Sequence, residues 1–365
     1  MTEATAKLFK TRTSRRSILK GLGVAAIGIS LSGKKYPAWA AEEKKLNLYN
    51  WDTYIGETTL EDFKEASGID VNMSLFATND ELFAKLRAGN PGFDVIVPGS
   101  EFVQRMIQAK LLEPLDHAKI PNIKNVAPEF INDAPYDPGR KFSMPYTWLV
   151  IGIGYRKSKV KEVPDSWKYL FDSDEYKGRI AVMSDASELF RNAFKYLGHS
   201  INDTSPELIK QVEAMLIKQK PNIKSFHEDN GQDLLASGEV DVVMEYNGDI
   251  AQVMAEDDDL NFVVPKEGAM KQSDTLAIPK GAPHPENALK FINFILDAKV
   301  GAEISTTIKY PSPNAAAVAL MPDSYKDNKV IFPPADLMAK CEYPRYLGPE
   351  FTRQLDDAMT RLRAA

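Results

Sequence analysis

Along this 365-residue chain the spacing of apolar residues switches repeatedly between a period of two and a period of about 3.6, which constrains the fold more than any single motif does. Leu46 to Trp51 reads as a buried strand. A helix then starts at Thr58, with Glu61 three residues on as a capping box, Leu60, Phe63 and Ala66 on one face, and Gly68 just past its end. Val71 to Phe76 is the next strand, Asn79 caps a helix running to Gly89, and Phe93 to Val97 is a third strand closed by Pro98-Gly99. Ser100 caps the helix that carries Phe102, Met106, Ile107 and Leu111. The second half repeats the logic. Strands are expected at Leu149–Tyr155, Arg179–Met183, Val240–Tyr246 and Thr275–Ile278, and helices at Ser187–Leu197, after Asn247-Gly248-Asp249, and at Pro285–Asp297. Strand and helix alternating at this spacing predict an α/β fold built on parallel βαβ units. The length suits two lobes, and the lack of a low-complexity linker implies several chain crossovers between them. Ligands of such sheets gather beyond the carboxyl ends of the strands.

Composition removes other classes. Residues are 44% hydrophobic and 26% charged, a globular balance. One cysteine, Cys341, excludes an intrachain disulfide and any zinc site built mainly on thiolates. The histidines, His117, His199, His227 and His284, are scattered without paired spacing, so neither a metal nor a cofactor is expected. His227-Glu228-Asp229 does not read as a metal cluster, because adjacent turn residues do not converge on one ion. The run Glu256–Asp259 reads as a solvated turn.

The first forty residues read as an address. Met1 to Lys20 is basic and polar, Gly21 to Leu31 is small and apolar, and Ala38-Trp39-Ala40 supplies a small-x-small cleavage pattern. Eleven weakly apolar residues fall short of the roughly 20 a bilayer core requires, so no permanent anchor is expected. The segment SRRSILK, Ser14 to Lys20, resembles a twin-arginine export signal, with Ile18 where Phe is usual. Residues 1–40 hold eight Lys/Arg and one acid. Their removal leaves 37 basic and 50 acidic residues and moves the net charge from −6 to −13. Such a field attracts cations and repels polyanions, so nucleic acid is not an expected partner.

Chemistry recurs at the strand ends. The first expected strand leads into Trp51-Asp52-Thr53-Tyr54, another into Ser184-Asp185-Ala186-Ser187-Glu188, and a third gives Glu245-Tyr246-Asn247-Gly248-Asp249; Asp274 opens a fourth. Aromatic faces and carboxylates together complement an organic ammonium ion. Each ring face adds about 0.5–2 kcal/mol of cation–π attraction, and carboxylates pair the charged ends.

Six segments, LNLYNWDTYI, PGFDVIVPGS, FSMPYTWLVIGIGY, VVMEYNGD, VPKEGAMKQSDTLAIP and IKYPSPNAAA, together resemble the periplasmic spermidine/putrescine-binding proteins, from about Lys45 to Leu362 and with order and spacing kept. The resemblance implies a two-lobed periplasmic binding-protein fold of type II with the ligand cleft between lobes. It also implies delivery of a polyamine to an ATP-binding-cassette (ABC) permease. Lobe 1 would comprise residues 41–148 plus 274–312, and lobe 2 residues 149–273 plus 313–365, closing about crossovers near Trp148–Ile153 and Gln272–Ala277. Carried over one position at a time, the family's ligand contacts match Trp51, Tyr54, Ser100, Asp185, Glu188, Tyr246, Asp249, Asp274 and Tyr310. Asp52 is the acid of the first motif, one place earlier than the family's usual acid, where this chain has Thr53. Gln272 replaces an aromatic two residues before Asp274, Tyr246 replaces a Trp, and Glu101 stands where some spermidine binders carry an aromatic. Pro344 falls roughly where a late Gln contacts ligand.

The resemblance implies a periplasmic monomer with no catalytic residues, and the SRRSILK segment implies the twin-arginine translocase as its partner during export. Another cationic amine, such as agmatine or cadaverine, is a rival ligand. An exported carboxylate-based hydrolase is a rival class, although no dinucleotide fingerprint, GxSxG or haem motif is present. Ferric iron is disfavoured because no Tyr-Tyr pair occurs.

Overall fold

A computed structural model describes residues 42–365 except Asp133 and Asp229. The basic segment, the SRRSILK motif and the cleavage pattern lie outside the described residues. The described residues form nine strands: β1 (Lys45–Asn50), β2 (Asp70–Leu75), β3 (Val95–Ile96), β4 (Ser143–Arg156), β5 (Ile180–Met183), β6 (Ile223–His227), β7 (Val242–Tyr246), β8 (Leu260–Val263) and β9 (Lys271–Ala277). They join in the order β2-β1-β3-β9-β4-β7-β5-β6, with β8 on β4. The pairs β1–β2, β1–β3, β5–β6 and β5–β7 are parallel, as helical crossovers require. β4 and β9 run antiparallel to their neighbours.

These two strands connect the sheet's halves. Ser143 to Val150 of β4 pairs with β9, and Ile151 to Arg156 pairs with β7 and β8. The core divides at the same place. Val150, Ile151 and Ile153 pack into a cluster with the helices Ala186–Tyr196, Pro206–Gln219 and Pro349–Ala364. Met144 and Leu149 pack instead with Leu46, Phe63, Phe291 and Tyr310. Tyr246 touches both clusters.

Several local expectations need correction. β4 spans 14 residues and starts at Ser143 rather than Leu149, because the pairing with β9 shifts register between Pro145 and Thr147 and so tolerates a residue with no N–H. Thr58 does not close a capping box: its backbone is already helical, and its hydroxyl donates to Asp62 instead. The cap of the next helix is Thr78, whose Oγ1 accepts from the Glu81 amide, and Asn79 is its first residue. Gly99, not Ser100, holds the cap position of the Ser100–Gln108 helix, which stops before Leu111. In the acidic run, Asp257 and Asp259 each lie 3.2 Å from the Arg156 guanidinium, so half of that turn is ion-paired. Among the described residues, no helix is long and apolar enough to cross a membrane.

Candidate functional site

β1 delivers the first group of side chains. Past Asn50 the chain reverses at Thr53, whose φ of 48° is left-handed, and the Asn50 amide donates to the Tyr54 carbonyl at 2.9 Å to hold the reversal. The turn sorts its residues. Asp52 faces solvent with its carboxylate on the Thr53 amide, whereas Tyr54 is buried. Trp51 is half-buried, its indole N–H on the Val97 carbonyl and its ring 4.3 Å from Phe76.

Tyr54 reaches across 220 residues of sequence to donate to Asp274 Oδ2 at 2.8 Å, and its hydroxyl also meets Thr147 Oγ1 at 2.5 Å. Asp274 is 7% exposed. Burial pushes its carboxyl up to about 7, against the partial relief of the Tyr54 hydrogen bond. The loop after β3 passes directly over it through a bridge between Gly99 and Asp274. A Cβ on Gly99 would stand 3.5 Å from Asp274 Oδ1 and 3.2 Å from both Gln272 Oε1 and Asn79 Nδ2, which explains the glycine there. Ser100 next to it is fully buried, and its hydroxyl has no hydrogen-bond partner among the described residues.

Two further phenol–carboxylate pairs follow, one within the other half and one that crosses to it from the Leu46 cluster. Tyr246 ends β7 and donates to Glu188 Oε1, which also accepts from Gln272 Nε2 at 3.2 Å. Tyr310 is 3% exposed and donates to Asp249 Oδ1 at 2.7 Å. Its ring meets Tyr54 edge-on at 5.2 Å and occupies the space a Cβ on Gly248 would need. Burial, then the facing carboxylates, hold all three phenols well above their ordinary range, so they remain donors. Asp185 caps the Ala186–Tyr196 helix by accepting from the Glu188 amide at 2.9 Å. Solvent reaches its carboxyl, yet the crowding of protein around it raises its pKa.

The structure therefore joins Tyr54, Asp274, Tyr310 and Asp249 in one network and Tyr246, Glu188 and Asp185 in a second, with Gln272, bonded to Glu188 and two residues before Asp274, between them. Trp51 and Ser100 flank these networks, and Asp52 stands outside both. Four carboxylates and three phenols make a surface for donors and organic cations, not for a nucleophilic reaction. No group of acids, histidines and cysteines that could hold a metal occurs among the described residues. His227 turns inward, bonds the Met244 carbonyl through Nε2 at 2.9 Å, and is kept neutral by burial, which lowers its pKa to about 4.

Sequence reasoning missed the setting of Glu101. Its carboxylate meets the Arg191 guanidinium at 3.0 Å, and that arginine is 1% exposed on a helix face otherwise lined by Leu189, Phe190 and Phe194. An arginine in an apolar stripe was the available signal, since a buried charge needs a partner.

The profile of the bacterial extracellular solute-binding protein family matches residues 58–333. The chain is 33% identical over 362 residues to the putrescine-binding periplasmic protein SpuD of Pseudomonas aeruginosa, covering 94% of this chain and 98% of that one. It is 34% identical to the spermidine/putrescine-binding periplasmic protein of Escherichia coli, covering 90% and 93%. Among solved structures it resembles the spermidine/putrescine ABC transporter substrate-binding protein PotD of Streptococcus pneumoniae. There the TM-score is 0.79 at 31% identity, covering 88% of this chain and 98% of that one. The mixed α/β architecture is that of the type II periplasmic binding proteins. With the fold, the family profile and the full-length relatives in agreement, the chain belongs to the bacterial extracellular solute-binding proteins, a family of transport receptors rather than enzymes, and within it to the group of periplasmic spermidine/putrescine-binding proteins.

Proposed function

We propose that this protein captures a polyamine, putrescine or spermidine, outside the cytoplasm and delivers it to an ABC permease. The observation that carries the reading is the set of three tyrosine-held carboxylates, on Asp274, Glu188 and Asp249, beside Trp51 and the Tyr54 ring. Ammonium groups pair with the acids, and aromatic faces cover the methylenes between them. In this reading Trp51, Tyr54, Ser100, Asp185, Glu188, Tyr246, Asp249, Asp274 and Tyr310 contact ligand, and Asp52 does not.

The lobes proposed are residues 41–148 with 274–312 and 149–273 with 313–365. The division of the core between the Leu46–Tyr310 cluster and the Val150–Leu362 cluster supports these bounds. Ligand that touches both lobes binds the closed form better than the open one and so drives closure. Export by the twin-arginine pathway, supported by SRRSILK alone, and a monomeric state complete the proposal.

Titration calorimetry of residues 41–365, stripped of ligand by unfolding and refolding, tests the function. Micromolar or tighter binding of putrescine, spermidine, cadaverine or agmatine is expected for at least one of them, and the absence of heat with all four would overturn the reading.

A further inference from the structure

Gln272 sits on β9 two residues before Asp274, so both side chains leave the same face of the strand. Its Nε2 donates to Glu188 Oε1 at 3.2 Å, which fixes the amide with its oxygen turned away from that carboxylate. The oxygen and Asp274 Oδ1 approach one common point, 3.2 Å and 3.5 Å from where a Cβ on Gly99 would stand. The Gly99 amide donates to Asn79 Oδ1, which orients the Asn79 Nδ2 toward the same small space. Among the described residues, no donor is hydrogen-bonded to Gln272 Oε1. A neutral acceptor thus stands between two carboxylates, at a position where a hydrocarbon wall would suit a plain methylene chain.

That arrangement distinguishes two kinds of amine. A diamine lays methylenes against Gln272 Oε1 and removes water from it without replacing the lost hydrogen bond, which is costly. An amine with an internal secondary ammonium donates to it while its terminal ammonium groups meet the flanking acids. Resting on the polyamine reading above, we infer that this site selects polyamines with an internal secondary ammonium, such as spermidine, over plain diamines, and that Gln272 Oε1 is the acceptor that reads the difference.

The test is calorimetry of the ligand-stripped protein with putrescine, cadaverine and spermidine, on wild type, Gln272→Leu and Gln272→Met. Thermal melts show which variants fold, and the methionine variant serves if leucine does not. Spermidine is expected to bind wild type at least about tenfold more tightly than either diamine, the scale of one hydrogen bond to a charged group. Both variants should collapse that ratio by weakening spermidine while leaving the diamines unchanged or tighter. Loss of the Gln272–Glu188 bond alone would weaken all three ligands alike, keep the ratio, and overturn the inference. Diamines binding wild type as tightly as spermidine would overturn it too, with the polyamine reading intact. Absence of binding by all three would overturn both.

Discussion

The two ends of the proposed site present carboxylates under different solvation. At the Tyr54 end the carboxylate of Asp274 is nearly sealed from water, and burial alone raises its pKa to about 7. At the Glu188 end Asp185 lies open to solvent. Crowding also raises its pKa, but the Glu188 and Ser187 amides pull the other way. A sealed acid is expensive to ionise until a cation arrives to compensate it, whereas an acid that solvent and two amide donors still reach ionises at lower cost and contributes less on pairing. On the proposed function, the buried end would supply retention and the open end the field that draws a cation in.

The largest test of this contrast is the pH dependence of stability in the ligand-free protein. Folded Asp274 keeps its proton up to about pH 7, while the unfolded chain gives it up near 3.8. Between those values the folded state binds the extra proton, so stability falls as pH rises from about 4 to 7 and levels off above. At about 1.4 kcal/mol per pH unit the effect amounts to a few kcal/mol. Denaturant melts of wild type against Asp274→Asn over this range should show it as a difference, and parallel curves would break the contrast.

Next in size is ligand affinity. Asp274→Asn should weaken amine binding by about 1.5–3 kcal/mol, the range for a hydrogen bond to a charged group, measured by calorimetry at pH 8; wild-type affinity would remove Asp274 from the site. Asp185→Asn should cost only about 0.2–1 kcal/mol, as exposed pairs do, and its loss should shrink further in high salt. A loss as large as that of Asp274→Asn would show that both ends retain ligand equally. The smallest effect belongs to Asp52→Asn, expected within about 0.5 kcal/mol of wild type, since the carboxylate serves its own turn.

The fold was legible in the sequence because its signals are local. Gly68 ends its helix with φ 69°, and the helix expected at Ser187–Leu197 is found one residue earlier, at Ala186–Tyr196. What misled were single residues whose role depends on distant partners. The strand expected from Leu149 starts at Ser143, because the register shift against β9 absorbs Pro145. Thr53 and Asp52 could not be assigned faces from alternation, because the left-handed φ at Thr53 interrupts the strand's two-residue period. Site residue types were visible as acids and aromatics at strand ends. Their pairing was not, since Tyr54 and Asp274 or Tyr246 and Glu188 meet only when the sheet is assembled.

The late arrival of β9 has a consequence for biosynthesis. Ile96 of the two-residue β3 pairs with Ala277, and the core around Leu46 and Phe63 is completed by Phe291, Ile304 and Tyr310. A ribosome therefore releases β1 to β4 long before the segments that cover them. Contacts of such sequence separation form slowly and leave apolar surface exposed meanwhile. The first half can mature only after roughly five-sixths of the chain has been made, so whatever machinery receives the nascent protein meets an unfinished half or a finished whole, with no folded N-terminal piece in between.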